Sequence, residues 1–150
     1  MVTPFPGSPH QGISVRLSTV LSIALATPGY AHVYAPGVVQ LFPATQLEPD
    51  VLIVAARQPL GAPWVDVTER WLAVEVFSRS SRRYDRDFKR DAYLALGVRE
   101  VWLVDIADKS VDVCRERGAG RVVRDVIRWH ITELDRTVEV NLSELFAGLD

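Results

Sequence analysis

Glu75 stands inside the apolar run "WLAVEVF" (71–77), and Asp50 opens another, "PDVLIVAA" (49–56). A carboxylate within an apolar strand costs free energy unless a cation or hydrogen-bond donors satisfy it. A cation lies downstream: "RRYDRDFKRDAYLAL" (82–96) reads as a helix, and Lys89 falls on it. If the two strands are antiparallel neighbours, both carboxylates can approach one point. Close carboxylates repel and raise each other's pKa, and a divalent cation removes that penalty. Oxygen ligands favour a hard ion, and Mg²⁺ keeps several waters while taking one or two carboxylates. Asp, Glu and Lys around Mg²⁺ suit phosphodiester hydrolysis, in which the metal engages a phosphate oxygen and activates water. The lysine then orients or stabilises the nucleophile.

The rest of the chain must hold these residues in place. "SPHQGISVRLSTVLSIALATPG" (8–29) has helix-start chemistry in Ser8, Pro9 and Gln11, apolar residues at helical spacing, and a stop at Pro28-Gly29. "AHVYA" (31–35) and "VVQLF" (38–42) read as a hairpin across Pro36-Gly37. The run behind Pro49 reads as a central strand, 57–66 as a turn-rich loop, and 71–77 as another strand. The helix of 82–96 ends at Gly97, a suitable C-terminal cap, and "EVWLVD" (100–105) is the next strand. "SVDVCRER" (110–117) and "GRVVRDV" (120–126) read as a hairpin across Gly118 and Gly120. "NLSELFAGL" (141–149) reads as a short helix with Asn141 and Glu144 at capping-box spacing. This order predicts an α/β or α+β layer with a mixed central sheet.

On a helical wheel, Tyr84, Phe88, Ala92, Ala95 and Leu96 share the face expected to pack on the sheet. Lys89 falls at its border, with Arg82, Arg86 and Tyr93 beside it. A border lysine buries its stem and aims its ammonium along the sheet surface, which would give Glu75 its cation. The arginines at 79, 82, 83, 86 and 90 are interleaved with Asp85, Asp87 and Asp91. They read either as a solvated, ion-paired face or as a rim contacting phosphate. Ser78, Ser80 and Ser81 read as helix caps, His10 as structural or solvent-exposed, and tryptophans 64, 71, 102 and 129 as core or interface.

The ordered set from "PD" (49–50) through "VEVFSRSS" (74–81) to "RRYDRDFKRDAYLALGVREVWLVD" (82–105) resembles the "putative restriction endonuclease" family of the PD-(D/E)XK nuclease superfamily. Family features fall on Asp50, Glu75, Ser78 and Ser80, Asp85, Lys89, Tyr93, Gly97, Val98, Trp102, Val104 and Asp105, and the terminal "VEVNLSELF" also fits. The resemblance covers most of the chain and implies one domain with a restriction-endonuclease-like core. It implies Mg²⁺, with Mn²⁺ as a substitute, held by Asp50, Glu75 and the backbone carbonyl of Val76. It implies Lys89 as the group that positions or polarises water, since Phe77 holds the usual lysine position, and Tyr93 as a support. It further implies DNA as substrate, and the basic run is then expected to put Arg79, Arg82 and Arg86 on the phosphates. Arg79 stands where the family usually has proline. The family usually begins with a further helix and a Glu-bearing strand ahead of the segment matching "SPHQ", which residues 1–150 are expected to lack.

Composition sets bounds on these readings. The 150 residues are 48% hydrophobic and 24% charged, enough for one sizeable core. A formal net charge of −2 argues against a wholly basic nucleic-acid binder but leaves room for a local basic patch. One cysteine, Cys114, forms neither an intrachain disulfide nor a cysteine-based zinc site and reads as a small buried or half-buried side chain. The start of the chain lacks signal-peptide features, and the first apolar helix is too short and polar to span a bilayer. The expectation is a cytoplasmic protein with no membrane partner, open to forming a homodimer. The rival expectation is a non-catalytic, nucleic-acid-binding or oligomerising module derived from the nuclease fold.

Overall fold

The computed structural model describes residues 8–41, 45–78 and 83–149. In chain order these form α1 (Ser8–Leu21), a π-helical turn (Ser22–Ala26), β1 (Ala31–Tyr34), β2 (Val39–Leu41), β3 (Thr45–Leu47), β4 (Val51–Ala55) and β5 (Arg70–Phe77). There follow α2 (Arg83–Ala95), β6 (Glu100–Asp105), β7 (Ser110–Glu116), β8 (Ala119–Val123), β9 (Val126–Ile131), β10 (Arg136–Asn141) and α3 (Leu142–Leu145). The central sheet has six strands in the order β1-β4-β5-β6-β7-β8. Among the described residues only the β5–β6 pair is parallel, and α2 makes its crossover. This is the expected single α+β domain with a mixed sheet flanked by helices.

Strand periodicity decides which residues face which layer. Leu72, Val74 and Val76 of β5 join Val51 and Ile53 of β4 in a core beneath α1, with Ile13, Leu17, Leu21, Trp102 and Trp129. Ala73 and Phe77 face the other way with Leu52 and Val54, in a second core with Tyr93 of α2 and Val39 of β2. Glu75 shares the parity of Ala73 and Phe77, so its side chain projects into the layer occupied by α2. All eight residues of β5 are buried.

The predicted hairpin of 31–35 with 38–42 does not form. β1 pairs antiparallel with β4, and β2 pairs with β3, a strand absent from the sequence reading. All five residues of β4 are buried, and a buried strand must satisfy its backbone on both edges. β1 supplies the second ladder. The chain can turn away after β1 because Gly37 packs against Leu52, where a Cβ would collide with the Leu52 side chain. The Gly37 N–H also donates to the Pro49 carbonyl at 3.0 Å, fixing the residue before Asp50.

The helix face also differs from the wheel. Phe88 is 56% exposed and Ala95 is exposed, whereas Tyr93 and Arg90 are buried. The side chain of Tyr84 and residues 79–82 lie outside what the structure describes, and with them the expected caps Ser80 and Ser81. Electrostatic pairing, rather than apolarity alone, selects the docked face. Arg90 pairs with Asp87 and Asp91, and Asp91 accepts from the Gly118 N–H in the β7–β8 turn. Arginine stems cover apolar surface while their heads are paired. Buried Arg70 of β5 donates to the carbonyls of Leu96 and Gln40, tying the end of α2 to β2. Gly97 takes φ 90° at that end, as the cap predicts.

Near the end of the chain, β7 and β8 form the expected hairpin, while β9 and β10 form one absent from the sequence reading. The alternation was present: Ile127, Trp129 and Ile131 are buried between exposed neighbours. Asn141 caps α3 by accepting from the Glu144 N–H. No helix among the described residues is long and apolar enough to cross a membrane.

Gly37→Ala should lower stability by about 1–3 kcal/mol through overpacking against Leu52. The check is the urea midpoint with an unchanged slope; an unmoved midpoint would show that Leu52 gives way freely.

Candidate active site

The site begins where the β4–β5 ladder stops. The ladder's last rungs are Val51 opposite Val74 and the Asp50 N–H donating to the Val74 carbonyl at 2.8 Å. The next residue of β5 facing that edge is Val76, beyond the start of β4. Its N–H donates instead to Asp50 Oδ2 at 2.8 Å. The aspartate side chain therefore continues the ladder by one rung, which locks its carboxylate to β5. The Val76 carbonyl points to the same edge as its N–H.

Glu75 reaches the site from within β5 and is 8% exposed. Its Oε1 accepts a short hydrogen bond from the Tyr93 hydroxyl and lies 3.4 Å from Lys89 Nζ. Both donors come from α2, one helical turn apart, so they share one face. Burial pushes the Glu75 carboxyl above its ordinary range; the Tyr93 bond and the Lys89 ammonium offset part of this, while Asp50 adds to the rise. Burial, then the Glu75 charge, drives the Tyr93 phenol far upward, so Tyr93 stays protonated and acts as a donor.

Asp50, Glu75, Lys89, Tyr93 and the backbone of Val76 thus gather at one end of the β4–β5 pair. Arg86 is committed elsewhere. Its Nη1 pairs with Asp105 Oδ2 at 2.6 Å, and its guanidinium lies 5.4 Å from the Phe77 ring centroid. It holds α2 to the end of β6 one turn before Lys89 meets β5. Arg79 and Arg82 lie outside the described residues. The sequence reading missed His10, whose Nε2 lies 3.3 Å from Asp50 Oδ2. No local signal marks it, because its partner is forty positions away in the chain.

The donor set fits a hard divalent cation. Each carboxylate has one oxygen held by protein donors, and the other accepts no hydrogen bond from a described residue. With the Val76 carbonyl these are all oxygen ligands. Among the described residues no group of three or more His, Cys, Asp or Glu side chains gathers as a metal cage. A site of this kind leaves much of the coordination to water, as Mg²⁺ prefers. Nucleophilic cysteine chemistry has no support: Cys114 is buried, and burial pushes its thiol up to about 12.

Residues 1–150 match the Uma2 family, described as "Putative restriction endonuclease". Among solved structures, the fold is similar to a "putative nuclease belonging to DUF820" from Anabaena variabilis ATCC 29413. The TM-score is 0.79 at 15% sequence identity, covering 98% of this chain and 85% of that one. No curated protein matches the chain.

The raised carboxyl of Glu75 gives a pH test. The folded chain holds this proton more readily than the unfolded chain does. Ionising Glu75 therefore costs stability, a cost absent below the ordinary carboxylate range and growing as pH rises above it. Glu75→Gln keeps an acceptor for Tyr93 and removes the charge. In EDTA it should raise the Tm at about pH 8 and lose that advantage at about pH 4. A Tm at or below that of the parent at the higher pH would show the buried charge to be fully compensated.

Proposed function

Because the chain belongs to the Uma2 family, we propose that it is an endonuclease that hydrolyses DNA phosphodiester bonds with the help of Mg²⁺ or Mn²⁺. The observation that carries this reading is the pairing of Glu75 on β5 with Lys89 from α2, beside an Asp50 carboxylate locked to the same strand. Asp50, Glu75 and the Val76 carbonyl would hold the cation, which when bound supplies Lewis acidity toward a phosphate oxygen and a water. Everything else falls to the chain's own groups.

Lys89 is a third exposed, with its ammonium 3.4 Å from Glu75 Oε1. From there it can donate to an attacking water and stabilise the negative charge that develops on the phosphate. A preorganised cation in a partly dry site is worth far more to the transition state than one in bulk water. Tyr93 cannot serve as a base, since its phenol is held protonated. It fixes Glu75 Oε1, and Oε2 would then be the oxygen that holds the cation. Burial of Glu75 stores a cost that a bound cation relieves, which favours loading of the site.

The Arg86–Asp105 pair acts as a strut in this reading, holding the first turns of α2 over β5 and β6. DNA phosphates would then meet the segment leading into α2, where Arg79 and Arg82 lie in sequence.

Lys89→Met keeps much of the apolar stem and removes the charge. Single-turnover cleavage of plasmid DNA should fall on the order of a hundredfold or more. Mn²⁺ binding, followed in parallel, should survive because both carboxylates remain. Cleavage equal to the parent's would reduce Lys89 to a surface residue. DNA binding by the parent without cleavage would favour a non-catalytic module.

A further inference from the structure

His10 stands in the first turn of α1, on the layer opposite α2. Its side chain is 15% exposed, and Nε2 lies 3.3 Å from Asp50 Oδ2. Nδ1 is buried without a partner among the described residues. The ring's polar contact within the described structure is therefore the one to Asp50. A cleft of about 270 Å³ borders the pair, lined by Ser14, Pro36 and Asp50 as well as His10.

We propose that His10 is a positioning residue for Asp50: together with the Val76 N–H, it clamps Oδ2 and presents Oδ1 to the cation. The proposal rests on the cation site described above. A carboxylate held by one hydrogen bond can still swing about the held oxygen. The Val76 hydrogen bond and the His10 ring reach that oxygen from different layers and together restrict this freedom. The Val76 N–H approaches within the sheet, and His10 approaches from the helix beneath it. Because Oδ2 offers only acceptor lone pairs, the proposed role places the hydrogen on Nε2. That nitrogen then has no lone pair for a metal, so the ligand set stays all-oxygen. A histidine in this role couples α1, which carries no other residue of the site, to the geometry of the metal ligands.

Partners that orient a metal ligand are typically worth 10–100-fold in metal affinity or activity. The test measures Mn²⁺ affinity of the whole chain by calorimetry for the parent, His10→Ala, His10→Gln and Asp50→Ala. His10→Ala should weaken Mn²⁺ binding by about 10–100-fold. His10→Gln, whose amide N–H can reach the same oxygen, should recover most of it. Electron spin-echo spectra of the Mn²⁺-loaded parent should show no directly bound imidazole nitrogen. Should the alanine variant not fold, His10→Phe keeps the ring volume without the donor and takes its place. Parent-like affinity in the donor-less variant, no recovery with Gln, or a directly bound nitrogen each overturns the assignment. Loss of binding in Asp50→Ala with none in His10→Ala would refute the role of His10 alone. Equal Mn²⁺ binding by the parent and Asp50→Ala would refute the cation site and this role together.

Discussion

The cost of burying the Glu75 carboxylate organises this molecule. β5 is the central strand, buried along its length, and one of its inward positions is an acid. Such a strand is stable only if something in the layer above it answers the charge. The answer comes from α2, through the protonated Tyr93 phenol and the Lys89 ammonium. Each offsets part of the desolvation without cancelling it, since the carboxyl remains above its ordinary range. In the proposed reading, that residual cost is what a bound cation would relieve.

The same logic explains why α2 docks as it does. A helix chosen for apolar packing would have buried Phe88. This one buries Arg90 and Tyr93 and sends Arg86 to Asp105 and Lys89 to Glu75, at the ends of the two parallel strands. The crossover thus delivers cations where β5 and β6 both end. On the neighbouring edge, β4 starts one rung short, and the Asp50 side chain replaces the missing backbone acceptor for Val76. The irregularity of the ladder is what places the second carboxylate, so the fold's termination and the site's assembly are one feature.

Much of this could be read in the sequence. An acid in an apolar run demands a partner, and the lysine on the following helix was the available one. The strands carrying Asp50 and Glu75 and the β7–β8 hairpin followed from apolar runs and turn glycines, while the antiparallel β4–β5 pairing entered only as a condition that the structure meets. The partner of β1 did not, because a short strand's pattern specifies a buried face and not which edge it joins. The helix face was misplaced because a wheel weighs apolarity, whereas Arg86 is held by Asp105 of β6 and Arg90 by Asp91, which is itself tied to the Gly118 N–H. β9 and β10 carried readable alternation in Ile127, Trp129 and Ile131. His10 was invisible for a different reason: its meaning lies wholly in a contact with Asp50 across two layers.

Crystals soaked in Mn²⁺ and measured at the manganese absorption edge test the central claim directly. If Asp50 and Glu75 form the metal centre, an anomalous peak lies within ligating distance of one oxygen from each carboxylate, roughly 2.0–2.6 Å. A peak bound elsewhere on the surface, with none between these two residues, would contradict it.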